Sequence, residues 1–141
     1  MSLKFTVSDV IPATPEAIYD AWLDSRAHGK MTGAKAKASA KVGGDFSVWD
    51  GYATGKNLEL DPGKRIVQSW RTTDFAASDP DSKVTVTLAP VGGGTKVTVL
   101  HTRIPDGHED AKVGWRDYYF EPMKEYFGKL SATSDQKSVT R

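Results

Sequence analysis

The chain has 141 residues, of which 38% are hydrophobic and 26% are charged, and its formal net charge is +1 at pH 7. This length suits one globular domain, and the balanced charge excludes recruitment of nucleic acid or an anionic membrane by bulk electrostatic attraction. The chain contains no cysteine, which excludes a disulfide framework, a thiolate metal site and a cysteine nucleophile. The N-terminus lacks the apolar segment of a signal peptide, so we expect a cytoplasmic protein without a membrane span.

The first third of the chain predicts one strand followed by two short helices. Residues 4–11 alternate between apolar and polar side chains, as a half-buried strand does. Thr14 and Pro15 are typical of a helix start, so a short helix is expected before Ser25. Ser25 can cap a second short helix, which Gly33 would end.

From residue 36 onward the apolar period changes to two, which predicts six strands in close succession. The strands are expected at residues 36–40, 46–48, 52–60, 65–73, 84–88 and 97–101. Asp50-Gly51 predicts a type I′ hairpin turn, and Gly55 is expected to form a bulge. Because short turns join successive strands, the sequence predicts an antiparallel sheet of seven strands in all.

The longest helical pattern runs from Glu109 to Leu130. Its apolar residues fall on one broad arc when each residue is advanced by 100°. They are Val113, Trp115, Tyr119, Phe120, Met123, Tyr126, Phe127 and Leu130. Pro122 lacks a backbone N–H, so we expect a kink near Tyr118 rather than a break. The sheet must cover this arc, which predicts an α+β fold with the sheet curved around the helix. The polar residues 131–141 are expected to form a disordered tail.

Short motifs along the chain carry a resemblance to a known family. They are Gly43-Gly44-Asp45-Phe46, Asp50-Gly51, Leu58-Glu59-Leu60-Asp61-Pro62, Ile66-Val67-Gln68-Ser69-Trp70-Arg71, Thr85-Val86-Thr87-Leu88, Gly94-Thr95-Lys96-Val97, Ile104-Pro105 and Gly114-Trp115-Arg116-Asp117-Tyr118-Tyr119-Phe120. This succession resembles the C-terminal domain of the activator of the ninety-kilodalton heat-shock chaperone's ATPase. That family is part of the START-like, helix-grip superfamily, with the birch pollen allergen and the polyketide cyclases. The resemblance implies a single domain over residues 1–130, with seven strands curled around the C-terminal helix.

The same resemblance implies a non-catalytic binding module that acts through a chaperone, another protein partner or a small apolar ligand. Two alternatives stay open. The chain could be a START-like carrier of a small hydrophobic ligand, or a polyketide-cyclase-like enzyme that uses His101 with an acid from a neighbouring strand. We expect no metal and no cofactor, because the three histidines are scattered and no metal-ligand spacing is present.

A sheet wrapped on a helix can enclose a ligand cavity, and we predict its lining from the inward-facing positions. The predicted lining is Phe46, Val48, Trp70, Val86, Val99, His101, Trp115, Tyr119, Met123 and Tyr126. The same residues could instead fill a solid core. Arg116 also falls within the apolar arc, and a buried cation needs a partner. We expect it to face a carboxylate-bearing ligand at the cavity mouth, to snorkel past the sheet edge, or to pair with Glu16.

Four lysines form a basic run after the second predicted helix. They are Lys30, Lys35, Lys37 and Lys41. Lysines on a solvated edge strand prevent edge-to-edge pairing of sheets, which is one interpretation of this run. The other interpretation is a docking strip for an acidic surface on a protein partner.

Overall fold

The computed structural model describes residues 2–108 and 110–129. In this part of the chain, six strands form one curved antiparallel sheet in the order β1-β6-β5-β4-β3-β2. The strands are β1 (Ser2–Ile11), β2 (Asp45–Val48), β3 (Ala53–Asp61), β4 (Arg65–Thr72), β5 (Ser82–Val91) and β6 (Gly94–Pro105). Two short helices, α1 (Pro15–Trp22) and α2 (Ser25–Thr32), follow β1 as predicted. The α+β class and the antiparallel sheet are therefore confirmed.

The long C-terminal helix, α3, contains a π-helical turn. It begins as Ala111–Trp115, passes through the π-helical turn at Arg116–Phe120, and continues as α-helix over residues 121–129. The N–H of Glu121 donates to the carbonyl of Arg116, five residues back. Pro122 follows directly and has no N–H to donate, so the wider turn lets the helix continue across it. Residues 109 and 130 and the predicted tail lie outside the described residues.

The π-helical turn changes which residues of α3 are buried. It adds one residue to a turn, so the first helical segment is rotated relative to the last. Five side chains of α3 are buried: Trp115, Tyr119, Phe120, Met123 and Phe127. Val113 and Arg116 are exposed, so the prediction that both belong to the buried arc is wrong. The prediction failed because it assumed 100° per residue throughout.

The predicted strand at residues 36–40 does not form, so the prediction of seven strands is wrong. Only Lys37 pairs with the sheet, through an isolated bridge to Ser47. The segment's small side chains offer little apolar surface to hold a strand in place. Polar contacts hold it instead: the Asn57 amide donates to two backbone carbonyls in and just after the segment, at 2.7 and 3.0 Å.

The ends of the two short helices are close to prediction. Thr14 caps α1, and Gly33 ends α2 in the left-handed conformation with φ of 82°. The N-cap of α2 is Asp24, not Ser25 as predicted, because the Asp24 carboxylate accepts a hydrogen bond from Ala27 N–H at 2.8 Å. The Ser25 hydroxyl instead accepts a backbone hydrogen bond from the segment that follows α2.

The turn between β2 and β3 has the predicted type I′ form. Asp50 and Gly51 have φ of 55° and 89°, and Tyr52 N–H donates to the Trp49 carbonyl at 3.1 Å. Asp and Gly tolerate such φ values, which match the twist of the flanking strands. Trp49 also has a positive φ of 55°, which is unusual for a bulky side chain.

The inner face of the sheet carries the core. Val84, Val86 and Leu88 on β5 alternate with partly exposed residues, as predicted, and Val86 lies opposite Val99 on β6. These side chains belong to one cluster that includes the buried faces of α1 and α3. Among the described residues, the long apolar helix that a membrane crossing requires is not found.

Gly55 on β3 permits a close approach between strands. It does not form a bulge, so the prediction of a bulge at this position is wrong. The register shift lies further along, between Asn57 and Glu59. A Cβ atom at Gly55 would lie 1.9 Å from the Ser69 carbonyl oxygen and 2.7 Å from the Phe46 ring. The position therefore excludes any larger residue.

We expect Gly55→Ala to lower the free energy of unfolding by about 3 kcal/mol or more, because backbone of β4 must shift to admit the methyl group. Gly92→Ala is the matched control, since a Cβ at Gly92 meets nothing within 4 Å. Urea denaturation of both variants checks this expectation. Equal stability of the two variants would contradict the close approach described for β3 and β4.

Candidate functional site

A pocket opens where the first half of α3 faces β3, β4 and β6. Its volume is about 430 Å³, within the range of small-molecule sites. Seven aromatic side chains line it: Trp49, Tyr52, Trp70, Phe75, Trp115, Tyr118 and Tyr119. We call it the aromatic pocket. Two loops border it, because Asp74 and Phe75 follow β4 while His108 and Asp110 precede α3.

The predicted site residues are divided between this pocket and the core. Four line the aromatic pocket: Trp70, His101, Trp115 and Tyr119. Five are buried in the core away from the pocket: Phe46, Val48, Val86, Val99 and Met123. Tyr126 is half-buried further along α3. The apolar pattern predicts which side of each element faces inward, but not where helix and sheet separate.

Arg116 is not part of the pocket wall. Its Nε lies 3.0 Å from Asp117 Oδ1, and 63% of the Arg116 side chain is exposed. The predicted position at a cavity mouth is therefore wrong, because the π-helical turn directs this residue to solvent. Glu16, the predicted ion-pair partner of Arg116, lies instead beside Gly63. Its carboxylate is 3.2 Å from the position that a Cβ atom on Gly63 would take.

His101 is held by hydrogen bonds on both ring nitrogens. The indole Nε1 of Trp115 donates to His101 Nδ1 at 3.1 Å. An indole N–H can only donate, so Nδ1 carries no proton, and Nε2–H donates to Ser82 Oγ at 2.8 Å. Ser82 in turn donates to the Trp70 carbonyl at 2.5 Å. This series of hydrogen bonds assigns the tautomer of His101 and fixes the orientation of its ring.

The same arrangement makes His101 a poor general base. Burial lowers its pKa to about 4. Its one free lone pair already accepts from Trp115, and Ser82 directs its proton to a backbone carbonyl rather than to the imidazole. A nucleophile and base pair requires the opposite direction of the serine hydrogen bond. The geometry therefore disfavours the cyclase-like use of His101.

A second buried histidine, which the sequence analysis did not single out, connects α2 to α3. His28 Nδ1 donates to the Trp22 carbonyl at 2.8 Å, and its Nε2 accepts from the Tyr119 hydroxyl at 3.0 Å. Burial lowers the pKa of His28. The signal for this role is weak but present, because His28 and Met31 are three residues apart and share the buried face of α2.

Trp49 was also missed, although it contributes a wall of the pocket. Its ring lies 5.3 Å from that of Tyr118 and 6.4 Å from that of Tyr119. Its Nε1 is buried, and no described residue forms a hydrogen bond of normal geometry with it. Burial raises the pKa of Tyr119, and the nearby Trp49 indole offsets this effect only in part. The sequence signal that could have identified Trp49 is its position next to the Asp50-Gly51 turn.

A curved antiparallel sheet, two short helices after the first strand, and a C-terminal helix across the sheet define the START-like class of proteins. Within that class, the chain belongs to the family described as "Activator of Hsp90 ATPase homolog 1-like protein", whose model matches residues 12–128. The resemblance seen in the short motifs is therefore confirmed.

Relatives in several organisms agree with this assignment. The human "Activator of 90 kDa heat shock protein ATPase homolog 1" is 30% identical over 126 residues, which are 89% of this chain and 37% of that protein. The homologue from Dictyostelium discoideum is 30% identical over 84% of this chain and 31% of its own length. The chain thus spans about a third of these curated relatives. The solved structure of an HSP90 activator from Plasmodium falciparum has a TM-score of 0.77 and 28% identity, covering 91% of this chain and 96% of that one.

Acidification should destabilise the protein between about pH 6.5 and pH 4. In the unfolded chain His101 takes up a proton near pH 6.5, whereas in the folded chain it does so only near about 4. The unfolded state therefore binds more protons in this window, and the fold loses about 3 kcal/mol as the pH falls through it. His28, whose pKa is also lowered, acts in the same direction.

Urea denaturation across this pH range checks the expectation, with His101→Gln as the comparison. Glutamine can still accept from Trp115 and donate to Ser82, but it does not titrate. The variant should lose less stability on acidification than the wild type. An identical pH dependence of the two proteins would show that His101 contributes nothing to it.

Proposed function

We propose that this chain is a non-catalytic binding module whose protein partner is a chaperone of the 90 kDa heat-shock class. The match to the human activator over 89% of the chain carries this proposal. The fold shared with the HSP90 activator from Plasmodium falciparum supports it. Because the chain spans 37% of the human relative, the proposal concerns binding, and activation of the chaperone ATPase is an outcome to be tested. A cytoplasmic location is part of the same proposal.

The hydrogen bonds of the interior support binding rather than catalysis. His101 and His28 each use one ring nitrogen to bond a side chain of α3 and the other to bond β5 or α1. General acid–base catalysis needs a group that can exchange a proton with the substrate at the working pH. Burial lowers the pKa of both imidazoles, so both rings stay neutral in the folded protein at pH 7.

The exposed lysines after α2 are the proposed docking strip. Lys30 is exposed near the end of α2, and Lys35, Lys37 and Lys41 are exposed on the irregular segment beside the edge strand β2. The segment is not a strand of the sheet, so the lysines are not needed there to block edge pairing along a continuous strand. An acidic surface on the partner would complement this charge.

We expect the chain to bind the chaperone. The double variant Lys35→Glu with Lys37→Glu should bind it about three- to tenfold more weakly, mainly through slower association. Lys4→Glu with Lys96→Glu is the matched control, since both residues are exposed on β1 and β6 and the charge change is the same. Calorimetric titration and chaperone ATP hydrolysis are measured at low and physiological salt. No binding and a flat ATPase titration at low salt would overturn the chaperone proposal; equal effects of both variants would overturn the docking strip alone.

The aromatic pocket favours a second candidate function, the carriage of a small apolar ligand. A volume of about 430 Å³ is large enough for a drug-sized molecule or smaller. The wall is mostly aromatic with a few polar groups, as is usual for small-molecule sites. The two functions are compatible, because the lysine strip is separate from the residues that line the pocket.

We expect native mass spectrometry of the protein as purified from cells to show a bound mass above that of the bare chain. Gly114 lines the pocket, and a Cβ there would meet only the Tyr118 ring, at 3.7 Å, so Gly114→Leu should fill the space and remove the bound mass. Gly128→Leu, in the same helix and away from the pocket, is the matched control. A bound mass that survives in Gly114→Leu would argue against carriage in the aromatic pocket.

A further inference from the structure

The charged groups at the mouth of the aromatic pocket are acidic. Asp74 and Asp110 belong to its wall, and of the described residues that line it none is a lysine or an arginine. Neither carboxylate forms an ion pair with a described residue. Arg71, on β4, does not line the pocket, but its Cζ lies over the ring of Phe75, 5.7 Å from the ring centroid. Its charge is partly offset, because its Nη1 lies 2.7 Å from the Asp79 carbonyl and 3.2 Å from the Asp81 carboxylate. The charged side chains that line the pocket itself are therefore acidic, and their carboxylates favour a positively charged ligand group.

The two carboxylates come from different loops, and both line the pocket together with Tyr52. Tyr52 donates to Asp74 Oδ2 at 2.5 Å, which occupies one of the two Asp74 oxygens. Burial, this hydrogen bond, and the charges of Asp74 and Asp110 together raise the pKa of Tyr52. Asp110 makes no side-chain capping hydrogen bond, although it precedes the first turn of α3. Among the described residues, both acids thus line the same pocket, and Asp74 Oδ1 and the Asp110 carboxylate have acceptor oxygens that remain available.

The pocket wall behind these acids consists of contiguous rings. The centroids of Trp70 and Trp115 are 5.0 Å apart, and those of Trp115 and Tyr119 are 4.9 Å apart. Trp49 and Tyr118 meet edge to face at 5.3 Å nearer the opening, where 58% of Tyr118 is exposed. The faces of aromatic rings carry partial negative charge and attract cations. Rings and carboxylates therefore favour the same sign of ligand charge.

We propose that the aromatic pocket binds a small organic cation, an ammonium group on an aromatic or alkyl body. The body lies against Trp70 and Trp115, and the ammonium group lies at the mouth beside Asp74 and Asp110. This inference rests on the ligand-carrying role proposed above. A carboxylate-bearing ligand, which the predicted position of Arg116 favoured, would instead meet two like charges at the mouth. The N-terminus of α3 does attract negative charge, but Asp110 already occupies that position.

Three probes with the same indole body and different charge test the proposal. Tryptamine is cationic at pH 7, tryptophol is neutral and indole-3-propionate is anionic. Binding to the full chain is measured by titration calorimetry and by shifts of the tryptophan indole N–H signals in NMR spectra. We expect tryptamine to bind at least about fivefold more tightly than tryptophol, and indole-3-propionate to bind most weakly. The preference for tryptamine should shrink as salt is added.

The double variant Asp74→Asn with Asp110→Asn identifies the source of the preference. It should bind tryptamine and tryptophol about equally, while its affinity for tryptophol stays near that of the wild type. Asp45→Asn is the matched control, because Asp45 is an exposed acid on β2 that pairs with Lys56 and does not line the pocket. The control should keep the full preference for tryptamine.

Each other outcome overturns a defined part of the argument. Equal affinities, or tightest binding of indole-3-propionate, would overturn the proposed cation while leaving a ligand carrier. Binding of none of the three probes at millimolar concentration would overturn the cation proposal, whereas the carrier is judged by the native mass spectra of the wild type and Gly114→Leu. The chaperone proposal is judged separately, by the titrations of the lysine variants. Retention of the tryptamine preference by the double variant would show that the two carboxylates do not select the ligand.

Discussion

Two buried imidazoles determine how α3 sits on the rest of the molecule. His101 connects Trp115 to β5 and β6, and His28 connects Tyr119 to the end of α1. An unpaired buried polar group costs free energy, and each ring here has partners on both nitrogens in one tautomer. A shift of α3 along the sheet would break both sets of bonds at once. The aromatic packing and the pocket wall depend on this placement.

The π-helical turn connects this placement to the shape of the pocket. It starts directly after Trp115 and ends before Glu121, so it follows one hydrogen-bonded aromatic residue, contains the other, Tyr119, and ends two residues before Pro122. The turn buries Tyr119 and Phe120 as neighbours and leaves Tyr118 at the pocket opening. Pro122, which cannot donate a backbone hydrogen bond, thus follows a π-helical turn, and this turn forms part of the pocket wall.

The polar groups of the protein divide into two sets with different roles. Those in the interior, around His28 and His101, are paired with one another and position the helix. Those at the pocket mouth, Asp74 and Asp110, are exposed and keep unused acceptor oxygens. This arrangement supports the proposal that the pocket recognises a ligand by charge and aromatic surface rather than by proton transfer. This division is the reason why we favour binding over catalysis for a member of the family.

The sequence by itself determined the α+β class, the two short helices after β1 and the Asp50-Gly51 turn, because apolar periods and turn residues act over short distances. The resemblance of its short motifs indicated the family, which the family model confirms. The sequence also identified His101 and Trp115 as inward-facing residues. Only the tertiary structure decided that residues 36–40 stay outside the sheet and that the π-helical turn exposes Arg116. It also decided that Ser82 bonds to His101 and that His28 bonds to Tyr119. The missing strand and the two hydrogen bonds depend on contacts between residues far apart in the chain, which no local pattern of residues records. The π-helical turn is a local departure from the 100° rotation per residue on which the sequence pattern relies.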